Sequence, residues 1–125
     1  MEIKVTNMDG NKATFATKVG TGFGFLDHAA TLDTKLEVEF QIDDVLTWGE
    51  DIFMAKTPTA KVEFIGESTT MVGSLESIEE DGMLVVRLDA STLLLLEVEG
   101  MPETIEIGDY ISFKTDELLL FPVEY

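Results

Sequence analysis

Cysteine is absent, and histidine occurs once, at His28. Without cysteine there is no disulfide framework, no thiolate metal ligand and no thiol nucleophile. With one histidine, neither an imidazole cluster around a metal nor a two-histidine relay can be assembled. Basic residues are scarce as well: eight Lys and Arg stand against 25 Asp and Glu, for a formal charge of −17. Apolar runs such as the four leucines 93–96 are strand-sized, far short of the roughly 18 residues that cross a bilayer. The opening MEIKVTNMDGNK lacks the basic and then apolar layout of a secretory signal. Together with the missing cysteine, this points to a reducing, cytoplasmic setting.

What is present is a packed core and a surplus of negative charge. The chain has 125 residues and is 45% hydrophobic, enough for a single domain with one core. The best internal boundary is near residues 56–60, read as a connection within that domain. The charge is lopsided: residues 1–62 hold ten acids and six bases, residues 63–125 fifteen and two. A charge of −17 lies well beyond the net charge of about 2 to 8 that keeps a small domain soluble, and it costs self-repulsion. Such a field repels phosphate backbones and anionic lipids, so neither nucleic acid nor membrane is an expected direct partner. A basic protein is.

The dominant hydrophobic period is two. In KLEVEFQI, Leu36, Val38, Phe40 and Ile42 alternate with Lys35, Glu37, Glu39 and Gln41, the pattern of a half-buried strand. The same logic predicts strands near residues 3–6, 13–18, 61–65, 71–78, 83–88, 93–98, 110–114 and 118–123. Asp9-Gly10 and Asp81-Gly82 are hairpin signals. The stretch 26–34 is compatible with a short helix, and 44–56 with strand or helix. The fold class expected is therefore all-β, an antiparallel small barrel or sandwich of about eight or nine strands. Residues from Lys61 onward read as a five-strand meander able to close into a small barrel.

The segment GTGFGFLDH, residues 20–28, concentrates three glycines ahead of the sole histidine. It lacks both the GxGxxG spacing and the lysine of a phosphate-binding loop. Its TGFGFLDH portion is similar to a segment of imidazoleglycerol-phosphate dehydratases, a likeness that would carry Asp27 and His28 into a manganese site. The run then departs from that family, and the further histidines such a site requires are missing; the match is read as coincidence. A site made of His28, Asp27 and Asp33 has too few ligands, and aspartates at that spacing are ordinary in turns. The glycines are expected to form a sharp bend before the strand at 36–42, with Phe23, Phe25 and Leu26 packing back on the core.

No catalytic residue, metal site or cofactor is expected, and the chain is not read as an enzyme. Acid–base catalysis would need two carboxylates in one desolvated cleft, whereas most acids here fall on turns or outward strand positions. The candidate residues are instead for binding. Trp48 stands among Asp43, Asp44, Glu50 and Asp51, an aromatic anchor ringed by carboxylates. A second acidic surface comes from Glu76, Glu79, Glu80 and Asp81 with Glu97 and Glu99, on a meander whose Leu84, Val86, Leu88, Leu94, Leu96 and Val98 face inward.

In size, acidity and β-rich layout the chain resembles the small all-β immunity proteins of bacterial contact-dependent and polymorphic toxin systems. That resemblance implies a cytoplasmic inhibitor whose carboxylates occupy the cationic channel of a basic nuclease toxin. Two other functions share the composition: a phage-type nucleic-acid mimic that blocks a host DNA-binding protein, and a non-catalytic β-barrel accessory domain.

Overall fold

A computed structural model describes residues 1–27 and 31–123. His28 and residues 29–30 lie outside the described residues; the rest of the stretch 26–34 is not helical, with Leu26 ending a strand and residues 32–33 in a turn. The fold is all-β, with no α-helix among the described residues. Its strands are β1 (Glu2–Asp9), β2 (Lys12–Thr17), β3 (Gly20–Leu26), β4 (Lys35–Gln41), β5 (Val45–Thr47), β6 (Ile52–Met54), β7 (Lys61–Ile65), β8 (Ser68–Ile78), β9 (Met83–Asp89), β10 (Thr92–Glu99), β11 (Tyr110–Thr115) and β12 (Leu119–Pro122). These are twelve strands rather than eight or nine; the additional ones are β3, β5 and β6.

The strands form two rings that share one hydrophobic core. In the first, β1 pairs with β2 and β4, β2 with β3, and β4 with β12, all antiparallel. Leu119 and Leu120 then pair in parallel with Phe25 and Leu26, which closes a five-stranded barrel. In the second, β8 pairs with β9 and β11, β9 with β10, and β11 with β6. Strand β5 runs parallel to β10, and a bridge between Trp48 and Ile52 completes the circuit. The strands after Lys61 do not close on themselves as expected. Strand β12 belongs to the first ring, while β5 and β6, from before residue 61, complete the second. Residues 56–60 connect β6 to β7 and so lie inside the stretch from β5 to β11 that builds the second ring, which is inserted between β4 and β12 of the first.

Glycine placement explains the first barrel. Inward positions of β3 are Gly22, Gly24 and Leu26, all buried, whereas Phe23 and Phe25 lie half-buried on the outer face. Their rings meet edge to face with centroids 6.3 Å apart. The segment is thus a central strand of the barrel, not a bend, and only Leu26 of its three large side chains is in the core. A small closed barrel has little interior volume. Phe15 fills it, stacked at 5.6 Å on Phe40. A Cβ on Gly22 would lie 2.5 Å from Phe15 Cζ and 2.9 Å from Val62 Cγ1, and one on Gly24 would lie 2.9 Å from the Leu118 carbonyl oxygen.

Strand β7 joins the rings, pairing antiparallel with β8 and in parallel with β3 at Gly20 and Val62, and one side chain reinforces the join. Thr69, fully buried near the start of β8, accepts a hydrogen bond from Phe23 N–H at 2.9 Å and donates one to Phe23 C=O at 2.5 Å. Its hydroxyl takes the place of a neighbouring strand for the middle of β3. A peptide group withdrawn from water without partners is costly, so this side chain satisfies the Phe23 N–H and C=O where β7 no longer flanks β3.

Candidate binding surface

The acidic end of the second ring is built by two tight turns. Asp81 and Gly82 both adopt positive φ, 60° and 77°, the geometry that joins twisted antiparallel strands with least strain. The turn projects Glu79, Glu80 and Asp81 into solvent. Gly82 sits so close to β10 that a Cβ there would be 2.6 Å from the Val98 carbonyl oxygen, which holds the hairpin tip beside Glu97 and Glu99. On β10 the buried and exposed positions alternate strictly, with Leu94, Leu96 and Val98 inside and Glu97 and Glu99 outside.

The second turn follows β5. Glu50 N–H and Asp51 N–H donate to the Thr47 carbonyl at 3.0 and 2.9 Å, and Thr47 N–H donates to Asp51 Oδ2 at 3.0 Å. Trp48 N–H donates to the Glu99 carbonyl at 2.9 Å. The Trp48 side chain is half-buried and packs against the core, with Gly100 beside its Cβ. What the sequence offered as two acidic surfaces therefore meets in one band: Glu79, Glu80 and Asp81, then Glu97 and Glu99, then Trp48 and Glu50.

Four of the expected residues lie outside this band or are engaged within the fold. Asp43 and Asp44 precede β5, at its far end from Trp48. Asp43 accepts a hydrogen bond from the Gln41 side-chain amide at 2.5 Å. Asp44 and Asp51 line a cleft of about 450 Å³ together with Lys114 and Asp116; Asp116 also accepts a hydrogen bond from the Ser68 hydroxyl. Asp51 is half-buried and spends one oxygen on fixing its turn. Glu76 forms a two-pronged ion pair with Arg87, at 3.0 and 3.1 Å. The hydrogen bond from that guanidinium holds the Glu76 carboxyl below its ordinary range, against a smaller opposing effect of desolvation.

Arg87, the only arginine of the chain, is further occupied by the carbonyls of Asp89 and Ala90 at 3.2 and 3.1 Å. The remaining ion pairs join Lys12 to Glu67, Lys35 to Glu2, Lys61 to Glu63 and the N-terminal amine to Glu37. None of them reaches the band, so its carboxylates have no basic counter-ion among the described residues.

The sequence did not single out the outer face of β9 and β10. Leu93 and Leu95 are exposed there, 47% and 55%. The signal was available: a run of four leucines on a strand with period two must leave two of them facing out.

Among the described residues, no group of three or more His, Asp or Glu side chains is placed to hold a metal ion, and no helix is long and apolar enough to cross a membrane. Comparison of the chain with protein-family models, with curated proteins and with solved structures returns no match.

Proposed function

We propose that this protein is a non-catalytic inhibitor of a basic protein, acting as a bacterial immunity protein that neutralises a nuclease toxin. The observation that carries this reading is the band of exposed carboxylates without counter-ions around a half-buried tryptophan. Carboxylates held on strands and tight turns are ordered before contact, so they occupy a cationic substrate channel in place of nucleic-acid phosphates at little entropic cost. Trp48 supplies a rigid apolar anchor beside them. The surrounding negative field adds steering, which lifts association toward ~10⁸ M⁻¹s⁻¹ at low salt.

Charge reversal tests this. Tagged wild-type protein should retrieve a basic protein from cells of its source, released by raising the salt, because screening removes steering between exposed charges. Replacing Glu50, Glu97 and Glu99 together with lysine should slow association with that protein by about tenfold or more and flatten its salt dependence. Retrieval of only neutral or acidic proteins, or association indifferent to both salt and charge reversal, would sink the reading.

A further inference from the structure

A groove runs between residues 40–43, at the end of β4, and the outer face of β9 and β10. Its volume is about 410 Å³, and its lining includes Ile42, Asp43, Met83, Leu93, Leu95 and Glu97. The register explains the apolar floor. Leu93 and Leu95 share the outer face of β10 with Glu97, and Met83 stands opposite Glu97 on β9. Leu93, Leu95 and Met83 thus supply the apolar floor, and Asp43 and Glu97 the carboxylates of a rim that Gln41 shares, its amide donating to Asp43. No basic residue lines the groove.

We propose that this groove docks a basic amphipathic segment of the partner protein, with aliphatic side chains on Leu93 and Leu95 and lysine or arginine reaching Asp43 and Glu97. The inference rests on the cationic-partner reading above and adds what the carboxylate band lacks. Exposed charges govern encounter, whereas burial of apolar side chains governs how long a complex lasts. Glu97 belongs to both surfaces, so a partner steered to the band arrives at the mouth of the groove.

Charge selects the occupant. A second copy of this chain would bring another −17 against the first and set Asp43 and Glu97 against like charges. An anionic membrane is repelled for the same reason. A segment bearing both leucine-like side chains and positive charge satisfies floor and rim together.

The experiment uses two synthetic peptides of equal length and positive charge, one alternating leucine with lysine and the other serine with lysine. Binding to the intact protein is measured by titration calorimetry at low and high salt. The leucine–lysine peptide should bind about tenfold or more tightly than the serine–lysine peptide, a difference of about 1.4 kcal/mol. The double variant Leu93→Ser, Leu95→Ser should erase that preference while leaving the serine–lysine peptide unaffected. Its unfolding midpoint, which should be unchanged because both side chains are on the surface, verifies that it is folded. Equal salt-sensitive binding of both peptides by the wild type would overturn the groove and leave the cationic-partner reading standing. Binding of neither peptide would count against both. Equal binding of a leucine–glutamate peptide, or wild-type dimerisation lost in the double variant, would overturn the assigned occupant.

Discussion

Gly22→Ala is expected to destabilise the protein by about 1 to 3 kcal/mol, the usual range for forcing extra volume into a packed core. The sign is not obvious from the residue types. Alanine in place of glycine ordinarily stabilises, by about 0.4 to 1 kcal/mol, where the backbone conformation suits it. Gly22 has no positive φ, so its backbone would accept alanine. Space decides the outcome. The added methyl would stand 2.5 Å from Phe15 Cζ, and Phe15 is fully buried with no room to retreat inside a small barrel. Phe15→Leu removes that ring atom, so the two substitutions should be less damaging together than their separate costs predict. A double-mutant cycle by urea unfolding measures the coupling, expected at about 1 kcal/mol or more in the relieving direction. Strict additivity would show that the barrel expands around Gly22 rather than closing on it.

Thr69→Val, nearly identical in shape, should cost about 2 to 4 kcal/mol. The substitution deletes the hydroxyl that serves both Phe23 N–H and Phe23 C=O, and each buried polar group left unpaired costs about 1 to 3 kcal/mol. Thr69→Ser keeps the hydroxyl and separates the two contributions: it should lose only the burial of a methyl group, about 1 kcal/mol. Hydrogen exchange at Phe23 provides a local readout, since its amide should become labile in the valine variant and stay protected in the serine variant. A valine variant as stable as the serine one would mean that water replaces the hydroxyl at the seam.

Most strands were legible because they alternate cleanly. In KLEVEFQI, Val38 and Phe40 are inside and Glu39 outside, and in LLLLEVEG, Leu94, Leu96 and Val98 are inside and Glu97 and Glu99 outside, as the alternation predicts. The Asp81-Gly82 hairpin was equally plain, because only a narrow set of residues tolerates two consecutive positive φ angles. Strand β3 was misread for a physical reason. Where a barrel is tight, the inward residue must be small, so glycine occupies the core positions of GTGFGFL and phenylalanine the outer face. That inverts the rule relating size to burial and makes a central strand look like a bend. Strands β5 and β6 have three residues each, too few for any period to register. The first ring closes through the parallel pairing of β12 with β3, and the second through that of β5 with β10 and a single bridge from Trp48 to Ile52, none of which a period-two pattern encodes.

Of the candidate surface, the sequence supplied Trp48 and the acids but not their grouping. The β5–β10 pairing merged the two patches into one band. The turn hydrogen bonds withdrew Asp51, and Arg87 withdrew Glu76. The groove beside them was hidden because a leucine on a strand suggests core unless its neighbour already points inward.

The insertion of the second ring between β4 and β12 of the first has a kinetic consequence. The first barrel cannot close until β12, from beyond residue 118, returns to β3 and β4. The second cannot close until β5 and β6 cross from the other side of residues 56–60. Contacts so distant along the chain make folding slow, because loop-closure entropy is lost before the pairing compensates for it. The hairpin tip is local to β8 and β9, whereas the Trp48 turn joins it only when β5 reaches β10. A chain in which β5 has yet to reach β10 therefore carries its full negative charge with its acidic residues still divided between two separate patches.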